Sequence, residues 1–124
     1  MAEAANYTIV QQGDVTLPDR SNPNPDTDFL YGDFGAPGLS SSTALTDRPY
    51  LTFAVDPAGV CQLELELNGT VVVSEAFGVG DARSVTEVLN HGNLLESANK
   101  LIARSVSGAI FTISDVKVGY KVNI

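Results

Sequence analysis

The chain has 124 residues, room for one domain and not for two. Its 15 acidic and 7 basic side chains give a formal net charge of −8, a surface that repels phosphate backbones and anionic lipid heads and so excludes nucleic acid and membrane surfaces as partners. With 44% hydrophobic but only 18% charged residues, the composition suits short strands joined by turns better than long surface helices.

Asn6 to Val10 reads as a first strand and Asp14 to Leu17 as a second, with Gln-Gln-Gly as a tight connection. Met1-Ala-Glu-Ala-Ala carries neither a basic region nor an apolar stretch of signal-peptide length. No apolar run approaches the ~20 residues needed to span a bilayer, and the location of the protein stays open. From Pro18 to Ser42 the pattern breaks into a long N-terminal loop region. Closely spaced prolines forbid helix there and interrupt any central strand. Between its two polar stretches sits Phe29-Leu-Tyr, whose rings are expected to dock back on the domain.

The next segment is regular. Tyr50, Thr52 and Ala54 alternate with Leu51, Phe53 and Val55, and Asp56-Pro-Ala-Gly closes the strand with a turn. Leu63, Leu65 and Leu67 then alternate with Glu64 and Glu66, so one face is buried and the other wet. Asn68-Gly69 supplies the positive backbone dihedrals of a two-residue hairpin leading into Val71 to Val73. Residues 84–106 read two ways. Leu94, Leu95, Ala98, Leu101 and Ile102 fall at helical spacing, with Asn93 and Glu96 placed to cap. Alternatively Ser84 to Leu89 and Lys100 to Val106 are strands around a short turn, which Gly92 favours. The closing segment from Ala109 is rich in β-branched residues. Ile113 is out of step with Val116, Val118 and Tyr120, which suggests a strand with an irregularity, such as a bulge, near Ser114-Asp115.

These elements predict an all-β, antiparallel sandwich of the jelly-roll kind, with about eight strands over residues 1–124. Three features, the Leu63 to Val73 hairpin, Ala98-Asn-Lys-Leu-Ile before Ser107-Gly108, and Ile113-Ser-Asp-Val-Lys-Val-Gly-Tyr, resemble the galactose-binding-like jelly rolls found among carbohydrate-binding accessory modules. That resemblance implies a non-catalytic module for carbohydrate or another surface ligand. The chain departs from sugar-binding members in having no Trp. The competing reading is a structural or assembly protein, such as a phage or surface-appendage component, in which the sandwich is a brick that forms homo-oligomers.

The candidate sites follow from residue type. Tyr7, Tyr31, Phe34 and Tyr50 are the aromatics that could stack on a sugar ring. Tyr31 and Phe34, with Asp33 beside them, are the preferred ligand-binding set because they fall in the long loop region. Asp26, Asp28 and Asp33 gather hard oxygen ligands there, the chemistry of a structural calcium, although the spacing matches no defined calcium loop and turn capping explains Asp equally. Glu64 and Glu66 stand about 7 Å apart, in the range of a glycosidase carboxylate pair, but wet strand faces commonly carry Glu. His91, the only histidine, has no Gly-x-Ser-x-Gly turn to serve, so no enzyme is expected. Cys61 reads as a buried thiol, and no intrachain disulfide can form. Asn6 and Asn68 match the glycosylation acceptor pattern, by chance if the chain is not secreted.

Overall fold

The computed structural model of the protein describes residues 3–18, 28–40, 47–106 and 110–123. Among them are nine strands and no α-helix: β1 (Glu3–Gln11), β2 (Val15–Leu17), β3 (Asp28–Phe34), β4 (Tyr50–Pro57), β5 (Cys61–Leu67), β6 (Thr70–Phe77), β7 (Arg83–Val88), β8 (Asn99–Ser105) and β9 (Phe111–Asn123). One sheet runs β1-β9-β4-β7, with β2 also paired to β9, and the other runs β3-β8-β5-β6. The antiparallel pairs β2·β9, β3·β8, β4·β7 and β5·β6 nest one inside the next. That nesting is the signature of a long hairpin rolled into two facing sheets, the jelly roll. β1 is an addition to it, continuing the edge that β2 begins along β9.

Alternation builds the core. Leu63, Leu65 and Leu67 on β5 face Leu51, Phe53 and Val55 on β4 within one buried cluster, each such side chain contributing about 2 kcal/mol by leaving water. The β5–β6 turn is the hairpin that the sequence predicts. Asn68 and Gly69 both take positive φ, 51° and 87°, as a turn matched to strand twist requires.

One expectation from the sequence needs correction, and one choice it left open is decided for the reading that Gly92 favours. The long loop region is interrupted by β3, an edge strand centred on the Phe29-Leu-Tyr segment. The helical alternative for 84–106 also fails, and the segment folds as strand, turn and strand. The cause is local. Gly92 and Ala98 sit at φ 91° and 57°, breaking any helix on both sides of Leu94 and Leu95. Asn99, fully buried, then ties the turn down. Its Oδ1 accepts from Leu95 N and Asn68 Nδ2, and its Nδ2 donates to the carbonyls of Leu95 and Phe34. Four partners saturate the amide, so the burial of a polar group costs little.

β9 carries the predicted irregularity. Thr52 on β4 lies opposite Lys117 and Ala54 opposite Ser114, so β9 holds one residue more than its partner between them. Asp115 absorbs it at φ 52°, and the inward-facing set changes phase from Phe111 and Ile113 to Val116, Val118 and Tyr120. Asp tolerates this left-handed conformation, whereas a β-branched residue pays about 1–2 kcal/mol. Asp115→Val is therefore expected to lower the unfolding free energy by about that amount, with Asp115→Gly neutral or stabilising. Urea denaturation followed by far-UV circular dichroism checks it, and equal stability of the Val variant would contradict the role given to the bulge.

Candidate functional site

The outer face of β3-β8-β5-β6 is occupied by its own charges. Arg104 on β8 donates from Nε to Asp28 Oδ1 and from Nη1 to Glu64 Oε1, both at 3.1 Å, and Glu66 Oε2 lies 4.0 Å from Nη2. The hydrogen bond to Asp28 is the largest influence and raises the guanidinium pKa, burial comes next and opposes it, and the fields of Asp28, Glu66 and Glu64 add to the rise. Glu64 and Glu66 thus share one cation. Beside them Gln62 Nε2 donates to Ser74 Oγ.

The structure disperses the residues favoured from sequence. Tyr31 is 2% exposed, because alternation along β3 sends its ring between the sheets, where burial pushes its phenol pKa up. A ring so placed offers no stacking surface. Its hydroxyl has no hydrogen-bond partner among the described residues. Phe34 also turns inward and packs against the core, while Asp33 is exposed, so the three do not converge. Asp28 belongs to the Arg104 cluster, and Asp26 lies outside the described residues. Among the described residues no group of three or more His, Cys, Asp or Glu side chains is arranged to hold a metal ion. His91 is half-buried in the turn after β7. Cys61 faces the core, its thiol pKa pushed up by burial against a smaller opposing hydrogen bond from the Phe77 backbone. The Asn68 amide is committed to the fold, donating to Asn93 O and Asn99 Oδ1 and accepting from Lys100 N.

The outer face of β1-β9-β4-β7 is built differently. Tyr7 on β1 and Tyr50 on β4 both stand opposite Gly119 on β9, so the three form one row across the sheet, continued by Val88 on β7. A Cβ added at Gly119 would overlap the end of the Tyr50 ring, which therefore reaches sideways over β9 and lies against the sheet. Tyr50 remains 40% exposed and Tyr7 60% exposed. Two strand spacings separate them, about 10 Å. The next row is Ile9, Lys117, Thr52 and Thr86, where Thr52 Oγ1 donates to Val85 O and Thr86 Oγ1 to Thr52 Oγ1.

Beyond that row the face is floored by small side chains. A cleft of about 290 Å³ is lined by Ile9, Gln12, Thr52, Ala54, Asp115 and Lys117, among others. A second, of about 380 Å³, adjoins it across Ala54 and Ser84 and runs to Asp14, Asp56 and Thr112. An aromatic row opening onto a hydroxyl-lined trough is a surface suited to an elongated ligand with alternating apolar and hydroxylated faces. Tyr7 and Tyr50 were in the set of candidate aromatics read from sequence. What sequence could not supply was their common row with Gly119.

The fold, a jelly-roll β-sandwich, is similar to that of solved structures that include carbohydrate-binding modules. Solved structures with this architecture include dimeric latent PorU from Porphyromonas gingivalis, with a TM-score of 0.62 at 13% identity, covering 99% of this chain and 13% of that one. The CBM22-1–GH10 modules of the xylanase Xyn10B from Clostridium thermocellum, complexed with xylohexaose, give 0.56 at 13% identity over 97% of this chain and 25% of that one. The CBM36-1 domain of a multidomain xylanase from the hindgut metagenome of Trinervitermes trinervoides gives 0.54 at 12% identity, over 99% of this chain and 100% of that domain. The chain thus spans a minor part of the first two proteins and the whole of the third. No protein-family model matches the sequence, and no curated protein does.

Gly119→Ala tests the seat of Tyr50. The obstruction meets the far end of a side chain, so the ring is expected to swing off the sheet while the fold persists. With four tyrosines and no tryptophan in the chain, near-UV circular dichroism reports tyrosine packing. A changed tyrosine band with an almost unchanged melting temperature is the expected result, and an unchanged band would mean that the ring does not rest there.

Proposed function

We propose that the protein is a non-catalytic glycan-binding module that holds a sugar chain on the outer face of the β1-β9-β4-β7 sheet. The observation that carries this reading is the row formed by Tyr7, Gly119 and Tyr50. Sugar rings present apolar C–H faces that stack on aromatic rings and hydroxyl edges that need hydrogen-bonding partners. The row supplies the first and the adjoining threonine and serine surface the second. A glycine opposite two tyrosines serves the same end, since a side chain there would hold Tyr50 off the sheet. The likeness of the fold to carbohydrate-binding modules supports the reading from a separate direction. The charges of the opposite face satisfy one another around Arg104, which favours the aromatic face as the place of contact.

Affinity electrophoresis through gels containing soluble polysaccharides tests the proposal. Tyr50→Ala and Tyr7→Ala are each expected to weaken retardation by the best ligand about tenfold, equivalent to about 1.4 kcal/mol. Retention of full affinity by both variants would move the site elsewhere. Self-association of the wild type that either substitution abolishes, with no retardation by any polysaccharide, would make the row a contact between copies of the chain.

A further inference from the structure

The cations of this face carry an inference beyond glycan binding in general, and it rests on that reading. The chain is strongly acidic, and its described arginines are used internally. Arg48 donates to Leu89 O and Asn90 Oδ1, Arg83 pairs with Glu75, and Arg104 pairs with Asp28 and Glu64. Lys117 and Lys121 are different. Both point outward from β9, two residues before and two residues after Gly119, and neither forms an ion pair with a described residue. Strand geometry puts them about 13 Å apart, one on each side of the tyrosine row. Among the described side chains, the carboxylates lining the clefts of this face, Asp14, Asp56 and Asp115, lie beyond Lys117 toward β2, so they do not stand between the lysines.

A neutral sugar chain accepts hydrogen bonds from ammonium groups but offers no charge to balance them, whereas two cations framing a stacking surface complement an anion. We propose that the Tyr7–Gly119–Tyr50 row, with Lys117 and Lys121, binds an acidic glycan: a sugar chain carrying carboxylate or sulfate groups. The rings stack on Tyr7 and Tyr50 while the anionic substituents meet the two ammonium groups. Such ligands are drawn to the cationic row despite the acidic remainder of the surface, because charges more than about 10 Å away are screened at ordinary ionic strength, and Asp115, which is nearer, stands on the side of Lys117 away from the row.

The test is affinity electrophoresis of the full chain against polygalacturonate for the carboxylate, carrageenan for the sulfate, neutral hydroxyethylcellulose, and polyacrylate as an anionic polymer without sugar rings. The expected result is stronger retardation by polygalacturonate or carrageenan than by the other two, and whichever is preferred identifies the anionic group. Lys117→Gln with Lys121→Gln is expected to reduce that affinity roughly tenfold. Lys100→Gln, which removes a cation from the opposite sheet, should leave it unchanged. Equal binding of neutral and acidic glycans, unaffected by the lysine variants but lost in Tyr50→Ala, would overturn the acidic-glycan assignment and leave glycan binding standing. Equal retardation by polyacrylate would overturn it as mere charge attraction. Retardation by none of the polymers would overturn both.

Discussion

One backbone irregularity sets the character of both faces of the larger sheet. β9 is flanked by β1 and β2 on one side and β4 on the other, so its alternation dictates theirs. At Asp115 that alternation changes phase, and residues on both sides of the bulge bury their apolar side chains. The same shift turns Lys117, Gly119 and Lys121 outward. Without it, Val118 and Tyr120 would face water, and the glycine that seats Tyr50 would face the core. Core register and surface chemistry are thus one consequence of a single residue that accepts positive φ.

The two outer faces then diverge because their charges are disposed differently. On the smaller sheet Arg104 draws in Asp28 and Glu64, with Glu66 close by, and the face is satisfied within the molecule. Such half-exposed pairs stabilise by at most about 1 kcal/mol each. Their larger effect is to commit Arg104 to the carboxylates of its own face, which leaves Lys100 at the far end of β8 as a cation outside that cluster. On the larger sheet the hydroxyls of Thr52 and Thr86 bond across the β4–β7 pair, and the lysines and tyrosines remain directed at solvent. A rigid frame holds this surface. The Asn99 amide fastens the β3 end, the β5–β6 turn and the segment before β8 to one another, while Arg83 spans the edges of the two sheets from Glu75 and over the Phe77 ring.

Much of the fold was legible where local pattern and tertiary environment agree. The Leu63–Leu67 alternation with Asn68-Gly69 specified its hairpin, and the phase break around Ser114-Asp115 specified the bulge. Residues 84–106 resisted because Leu94 and Leu101 are buried for reasons of tertiary packing, while their spacing happens to fit a helix. The deciding contacts of Asn99 reach Asn68 and Phe34, far along the chain. β3 was hidden because a short edge strand between proline-rich stretches carries little alternation of its own. The docking expected of the Phe29-Leu-Tyr rings holds for Tyr31, and that same burial removes it from the binding set it was assigned to. The tyrosine row was half legible. Tyr50 follows the Thr52–Ala54 face, and Gly119 falls opposite in phase to Val118 and Tyr120. Their meeting depends on β9 lying beside β4, which topology decides and periodicity does not.

The most direct test of the account is a nuclear magnetic resonance titration of the ¹⁵N-labelled protein with an oligosaccharide of the polymer it binds best. The account places the largest amide shifts at Gly119 and its neighbours Tyr7, Tyr50, Lys117 and Lys121, with Arg104 and the strands around it unmoved. Shifts centred instead on Asp28, Glu64 and Arg104, with the Gly119 row silent, would contradict it.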